Sequence, residues 1–179
     1  YVEVQPVELL TTGEMIWWSE RDGWGHYYLY GPDGSVKKQL TSGSYSTRRV
    51  EAVDEANRVV YFTANGREDE DPYYTHLYKV NLDGTGLALL NPGEFNHRTS
   101  ISENMGFFVD NYSRMDEAPG SVVRDARGKL LVRLETADLS GLSDAGWRPP
   151  ELFTAMSADG VTEQWGVMWK PFDFDPGRR

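Results

Sequence analysis

MIWWSERDGWGHYYLYGPDGSVKKQLT, the stretch from Met15 to Thr41, decides how this chain folds. Met15-Ile16-Trp17-Trp18 reads as an apolar strand, and a short polar turn follows it. His26-Tyr27-Tyr28-Leu29-Tyr30 reads as an aromatic strand, ended by the turn pair Asp33-Gly34. A third strand then closes on Leu40. Aromatic and β-branched residues favour strands, and Asp-Gly supplies the positive-φ positions that hairpin turns need. Three strands joined by turns over so short a span make one antiparallel sheet unit.

The rest of the chain repeats that unit. Leu9-Leu10-Thr11-Thr12-Gly13-Glu14 is a turn leading into Met15, and Asp54-Glu55-Ala56-Asn57-Arg58 leads likewise into Val59-Val60-Tyr61-Phe62. Ser102-Glu103-Asn104 leads into Met105-Gly106-Phe107-Phe108-Val109. With Trp18, Phe62 and Phe108 taken as equivalent, the spacings are 44 and 46 residues. His76-Leu77-Tyr78-Lys79-Val80 before Asp83-Gly84 repeats the His, Tyr, Asp and Gly of the first copy in register. Leu follows the Gly by six positions in both (Leu40, Leu90). A degenerate third copy runs from Ser121-Val122-Val123-Arg124 through Gly128 to Leu134. Four-stranded repeats of about 40 to 50 residues are propeller blades. The expected fold is therefore all-β: a partial β-propeller of two to three four-stranded antiparallel blades, with a terminal β-hairpin.

Composition agrees. Of 179 residues 39% are hydrophobic and 13% aromatic, including 6 Trp and 10 Tyr, which is enough apolar area for a core. The net charge is −10, which repels phosphate backbones and argues against a nucleic-acid partner. The absence of cysteine excludes disulfides, thiolate metal sites and a Cys nucleophile. No apolar run approaches the roughly 18 residues of a membrane span. The chain begins at Tyr1 and ends on Asp175-Pro176-Gly177-Arg178-Arg179, and is read as a piece of a longer protein.

The second unit carries an insertion, Asn65-Gly66-Arg67-Glu68-Asp69-Glu70-Asp71-Pro72. Four consecutive acids are a possible seat for calcium, but they lack alternating ligand spacing, and the expectation is a solvated loop tip. After Leu134, Thr136 to Leu142 has a short helical or irregular look, and Trp147-Arg148-Pro149-Pro150 ends it and marks a boundary. Beyond it, Leu152-Phe153-Thr154-Ala155-Met156 and Gln164-Trp165-Gly166-Val167-Met168-Trp169-Lys170 form a hairpin about Ser157-Ala158-Asp159-Gly160, outside the repeat. The expected domains are residues 1–148, propeller blades, and 149–179, the first hairpin of a second domain.

No residue constellation supports catalysis. The chain holds no Gly-x-Ser-x-Gly elbow; Ser143 in Gly-Leu-Ser-Asp-Ala comes nearest and lacks the second Gly. His26 and His76 occupy one repeat position, so neighbouring blades could bring them side by side as metal ligands, with His97 the third histidine. The preferred reading is hydrogen bonding that fixes the blades. There is no glycine-rich phosphate loop and no carboxylate pair in a hydrolase context. Trp17, Trp18, Trp24, Trp165 and Trp169 could make a sugar platform, although strand alternation buries about half of such residues as core. No catalytic, cofactor or metal residue is assigned, and no cofactor is expected.

Ser19-Glu20-Arg21-Asp22-Gly23-Trp24-Gly25-His26-Tyr27-Tyr28-Leu29-Tyr30, with Trp17-Trp18 before it and Gln39-Leu40-Thr41 after, resembles the late propeller blades of dipeptidyl peptidase IV and its bacterial relatives in the prolyl oligopeptidase family. Val60-Tyr61-Phe62-Thr63-Ala64 and His76-Leu77-Tyr78-Lys79-Val80 match the next blade. Ala158-Asp159-Gly160, Trp165 to Pro171 and Phe174-Asp175-Pro176 resemble the run into that family's α/β-hydrolase domain.

The resemblance implies a serine exopeptidase that removes dipeptides, often after Pro or Ala, from peptide N-termini. In it the propeller covers the active site, gates access and supplies acids that hold the substrate amine. By the same resemblance the catalytic Ser, Asp and His lie beyond Arg179 and the amine-holding Glu pair before Tyr1. A substrate-contacting arginine falls near or before Tyr1, so no family catalytic residue is carried onto this chain. The implied partners are a peptide substrate, the rest of the propeller and the hydrolase domain, in a periplasmic or secreted setting. Unpaired strand edges of a partial propeller favour self-association, including a homodimer. The competing reading is a periplasmic translocation-type propeller that binds proteins without catalysis.

Overall fold

A computed structural model of the chain describes residues 6–171, 173–175 and 177. Tyr1, Pro176, Arg178 and Arg179, named above, lie outside the described residues. Three four-stranded antiparallel sheets follow one another, each a meander whose spatial order is its chain order. The first holds β1 (Glu8–Leu9), β2 (Met15–Ser19), β3 (His26–Tyr30) and β4 (Val36–Gln39). The second holds β5 (Ser46–Asp54), β6 (Val59–Asn65), β7 (Thr75–Asn81) and β8 (Ala88–Leu89). The third holds β9 (Asn96–Ile101), β10 (Phe107–Arg114), β11 (Glu117–Asp125) and β12 (Leu130–Thr136). A short helix α1 (Ser140–Asp144) precedes the hairpin of β13 (Glu151–Met156) and β14 (Glu163–Met168), which forms a sheet of its own. The fold is thus an all-β partial propeller of three blades with a terminal hairpin. Among the described residues no helix is long and apolar enough to cross a membrane.

The turn chemistry behaves as its residues dictate. Between the third and fourth strands, Gly34, Gly84 and Gly128 donate their N–H groups to Gly31, Asn81 and Asp125 at 2.8–2.9 Å. Asp33 and Asp83 each accept the backbone N–H of the residue two positions on. In the degenerate third turn, Asp125 takes over by accepting from the amides of Arg127 and Lys129.

These equivalent turns fix the repeat register more closely than composition does. Trp17 lies opposite Tyr28, Phe62 opposite Tyr78, and Asp110 opposite Val122. The counterpart of Phe62 is therefore Trp17 rather than Trp18 in the first blade, and Asp110 rather than Phe108 in the third. The shift has a clear origin: Trp17 and Trp18 are adjacent and both aromatic, so composition cannot choose between them, whereas strand pairing can.

The second blade is covered on both faces, and its β6 reads accordingly as a near-continuous apolar run. Val60, Phe62 and Ala64 face the first blade and join Ile16, Tyr27 and Leu29 in one core cluster. Tyr61, on the opposite face of β6, joins Leu77, Leu90 and Phe108 in a second cluster toward the third blade. The far side of the third blade has no such cover among the described residues, and Leu131, Val132 and Leu134 of β12 stand about half exposed.

Polar contacts clamp successive blades as well. Glu14, buried between the first two blades, accepts from Lys37 Nζ at 2.5 Å and from Arg58. The Arg58 guanidinium and then the Lys37 ammonium hold its carboxyl down to about 2. Lys79 Nζ donates to the carbonyl of Ala126 at 3.0 Å and ties the second blade to the third.

The third-blade turn also rests directly on the second blade. A Cβ on Gly128 (φ +84) would lie 2.3 Å from the carbonyl oxygen of Leu90. Gly128→Ala is therefore expected to cost about 2–3 kcal/mol, from left-handed backbone strain plus the forced separation of the two blades. Chemical denaturation would measure it, and a loss below about 0.5 kcal/mol would contradict the close approach.

Candidate functional site

A cluster of linked titratable side chains lies in the seam between the second and third blades. It begins at the long β6–β7 connection. Asn65 closes the base of that loop, with Nδ2 directed at the carbonyls of Tyr73 (2.8 Å) and Tyr74 (3.0 Å) and at Thr75 Oγ1 (3.0 Å). Asp71 accepts the N–H of Tyr73, leaving Tyr73 exposed at the tip.

The four acids are not all solvated, which corrects the expectation of a loop tip in water. Glu70 turns inward, its side chain only 8% exposed, and its carboxylate meets His76 Nε2. Glu68 accepts from the Tyr78 hydroxyl at 3.0 Å and from Arg67. A buried imidazole six residues downstream and a buried phenol two residues beyond it give these two carboxylates partners that water would otherwise supply. Among the described residues no group of three His, Cys, Asp or Glu side chains is arranged to hold a metal ion.

From His76 the network continues across the seam. His76 Nδ1 lies 3.1 Å from the carbonyl oxygen of Asn91, and its ring centre lies 4.8 Å from that of His97. His97 Nδ1 stands 2.8 Å from Asp110 Oδ1. Asp110, with its side chain fully buried, also accepts from Arg124 Nε at 2.9 Å and from Asn91 Nδ2 at 3.3 Å. Asn91 Oδ1 in turn accepts the N–H of Leu77 at 2.8 Å.

The two buried carboxyls respond oppositely to this setting. Burial pushes Glu70 up, against the opposing pull of its His76 hydrogen bond. Burial also works against the charge on Asp110, but the His97 hydrogen bond and charge, with Arg124 and Asn91 behind them, hold that carboxyl below the usual aspartate value.

The histidines are placed differently from the metal reading. His26 is not paired with His76: its Nε2 donates to the Gly43 carbonyl at 2.9 Å, and its Nδ1 accepts from Thr41 Oγ1 at 3.0 Å. Thr41 Oγ1 also accepts the N–H of Tyr27, so His26 and Thr41 tie β3 to the loop that follows β4. The histidine next to His76 is His97. Ser143 sits on exposed α1, and all three imidazoles are engaged with other partners. Of the five tryptophans weighed as a sugar platform, Trp17, Trp18 and Trp24 belong to the first blade and Trp165 and Trp169 to the terminal hairpin and the residue after it. Trp17 packs on Tyr30 at 5.9 Å, and Trp18 Nε1 reaches the carbonyl of Thr47 at 3.3 Å.

Sequence reasoning missed Asp110, Arg124 and Asn91. The signal was available for Asp110: it follows Phe107-Phe108-Val109, and strand alternation puts it on the same face as buried Phe108. An acid on a core face needs partners.

Two hollows open beside the seam. One of about 160 Å³ is lined by Asp69, Glu70, Tyr74, Glu94, Arg114 and, from the hairpin, Trp165. The other, about 510 Å³, runs between Tyr73, Tyr74, Met115, Leu142 and Trp147. Arg114 lies between them, its charge met by Asp116 at 2.6 Å and by Glu117. This arrangement can hold protons and bury a mixed aromatic and acidic surface, and it contains no activated nucleophile.

Comparison with known proteins places this geometry. The profile of the family described as the dipeptidyl peptidase IV (DPP IV) N-terminal region matches residues 1–119. The chain belongs to that family. The match to the DPP IV N-terminal region takes in the first two blades and runs into β11 of the third. A probable dipeptidyl-aminopeptidase B of Aspergillus oryzae is 27% identical over 168 residues, covering 88% of this chain and 18% of that protein. Dipeptidyl peptidase 4 of Trichophyton equinum is 30% identical over 96 residues, 52% of this chain and 12% of that protein. The crystal structure of Porphyromonas gingivalis dipeptidyl peptidase 4 superposes with a TM-score of 0.77 at 24% identity, over 96% of this chain and 24% of that one. A putative dipeptidyl aminopeptidase IV from Bacteroides ovatus gives 0.75 at 24% identity, over 97% of this chain and 27% of that one. The two structures share the fold. The chain spans less than a fifth of the length of the curated relatives it matches.

Proposed function

We propose that this chain is the closing portion of the propeller of a serine dipeptidyl peptidase, non-catalytic in itself, whose blades gate the approach of peptides to an active site elsewhere in the whole protein. Residues 1–148 form the propeller portion in this reading, and residues 149–179 begin the hydrolase domain. The whole protein then releases dipeptides from peptide N-termini.

The observation that carries the reading is the terminal hairpin. After Pro149-Pro150, β13 and β14 pair with each other in a two-stranded sheet and, among the described residues, not with any of the three blades. A propeller acting purely as a binding module has no use for such a hairpin, which would instead complete a first or last blade. A hairpin opening a second domain is expected to stand apart. The curated relatives named as dipeptidyl peptidases add support, because the 168-residue alignment extends well past the blades' family match.

The test is cleavage of Gly-Pro and Ala-Pro p-nitroanilides by the whole protein, with this chain assayed alone beside it. Activity in the whole protein and none in the chain is the expected result. A folded whole protein that cleaves neither substrate would overturn the peptidase reading in favour of the protein-binding propeller.

A further inference from the structure

The Glu70–His76 contact has a proton balance that its geometry dictates. The carbonyl of Asn91 can only accept, so His76 Nδ1 carries a hydrogen. Nε2 meets a carboxylate oxygen, and that contact needs one more proton, held either by the imidazole or by the carboxyl. Remove it, and a ring lone pair faces a buried carboxylate with nothing between them. On the other side of the seam, Asp110 is shared between His97 and Arg124, so its charge is balanced locally. Glu68 is met by Arg67 and the Tyr78 hydroxyl. Glu70 is therefore the counter-charge available to His76.

Glu70 also belongs to the 66–74 loop, which forms walls of both hollows: Asp69, Glu70 and Tyr74 line the smaller, Tyr73 and Tyr74 the larger. We propose that the single proton shared by Glu70 and His76 is a clasp that holds the 66–74 loop against the second blade, and that losing it at alkaline pH frees the loop and opens the hollows beside it. The raised position of the Glu70 carboxyl agrees in sign, since a folded state that binds the proton more tightly than the unfolded chain loses that stabilisation as pH rises.

Loop amides report on the clasp directly. In the closed form the N–H of Glu70 is bonded to the Glu68 carbonyl and that of Tyr74 to the Asp71 carbonyl, each at 3.0 Å. Hydrogen exchange of these amides in the full chain, corrected for the intrinsic effect of pH, should show protection falling about tenfold or more between about pH 6 and about pH 9. Glu70→Gln lets an amide donate to neutral imidazole, and His76→Gln puts a permanent donor before Glu70; both variants should lose the pH dependence while keeping the protection. A flat profile in the unmodified chain, or a steep one kept by both variants, would overturn the proposal. Should a variant fail to fold, imidazole NMR of the unmodified chain decides instead. Deprotonation of His76 must coincide with the shift changes of residues 67–73, and deprotonation that leaves them unmoved defeats the clasp.

Discussion

Asp110→Ala is expected to lower the stability of the chain by about 3–5 kcal/mol, because it removes the acceptor shared by three donors and leaves the Arg124 guanidinium without its counter-charge. Arg124, His97 and Asn91 all direct hydrogen-bond donors at that one carboxylate, which is wholly inaccessible to water. The cost arises less from losing favourable contacts than from leaving a largely buried guanidinium in the seam without its carboxylate partner. For a chain of this size the same loss lowers Tm by roughly 10 °C. Urea denaturation of the two chains side by side would check it, and a difference under about 1 kcal/mol would mean that water reaches Arg124 once the carboxylate is gone.

The pH dependence of this contribution has a definite sign. The folded state holds the Asp110 carboxyl below its ordinary value, so its stabilisation is complete above the unfolded-chain value and is lost as pH falls through the folded one. Glu14, held down to about 2 by Arg58 and Lys37, behaves in the same way between the first two blades. Acid should therefore loosen both seams, whereas the Glu70–His76 clasp fails on the alkaline side.

Phe62→Ala is the second large effect, expected at about 3–5 kcal/mol. Phe62 is fully buried at the centre of the cluster that joins the first two blades. Tyr27 of the first blade meets it edge-on at 5.7 Å, and Tyr78 of its own blade stacks on it at 5.7 Å. Removing the ring deletes both aromatic contacts and leaves a cavity bounded by two sheets whose spacing is fixed by their other side chains, so little collapse can fill it. Phe62→Leu should cost about 1–2 kcal/mol, since most of the volume is kept. Denaturant midpoints of the two variants, compared with an exposed-site control at Tyr73, would test the ranking. Equal losses for Ala and Leu would show that the cavity, and not the ring, is unimportant.

Much of the architecture was legible from single residues and their spacing. The turn glycines at 34, 84 and 128, the strands between them and the terminal hairpin about Asp159-Gly160 all stand where local chemistry puts them. The run Val59 to Ala64, apolar apart from Thr63, stands where the repeat puts a strand, and the fold covers it on both faces. What composition misjudged was finer. Trp17 and Trp18 are interchangeable by composition, and only pairing with Tyr28 shows which one corresponds to Phe62.

The seam shows the limit from the other direction. Four acids in a row describe a hydrated loop, and nothing adjacent to Glu70 indicates that it turns inward to His76. The repeat offered His26 and His76 as blade-fixing hydrogen-bonders, which they are, but nothing in it pointed to His97 as the histidine beside His76. Asp110 and Arg124 lie on adjacent strands, but their importance depends on Asn91 and His97 arriving from outside that hairpin. Strand, turn and repeat were determined by the sequence itself, because backbone φ preferences and side-chain alternation act over a few neighbouring residues. Which charges share a proton, and which carboxylate is buried, was decided only by the tertiary structure, because electrostatic pairing depends on distances through space between residues that the chain keeps far apart.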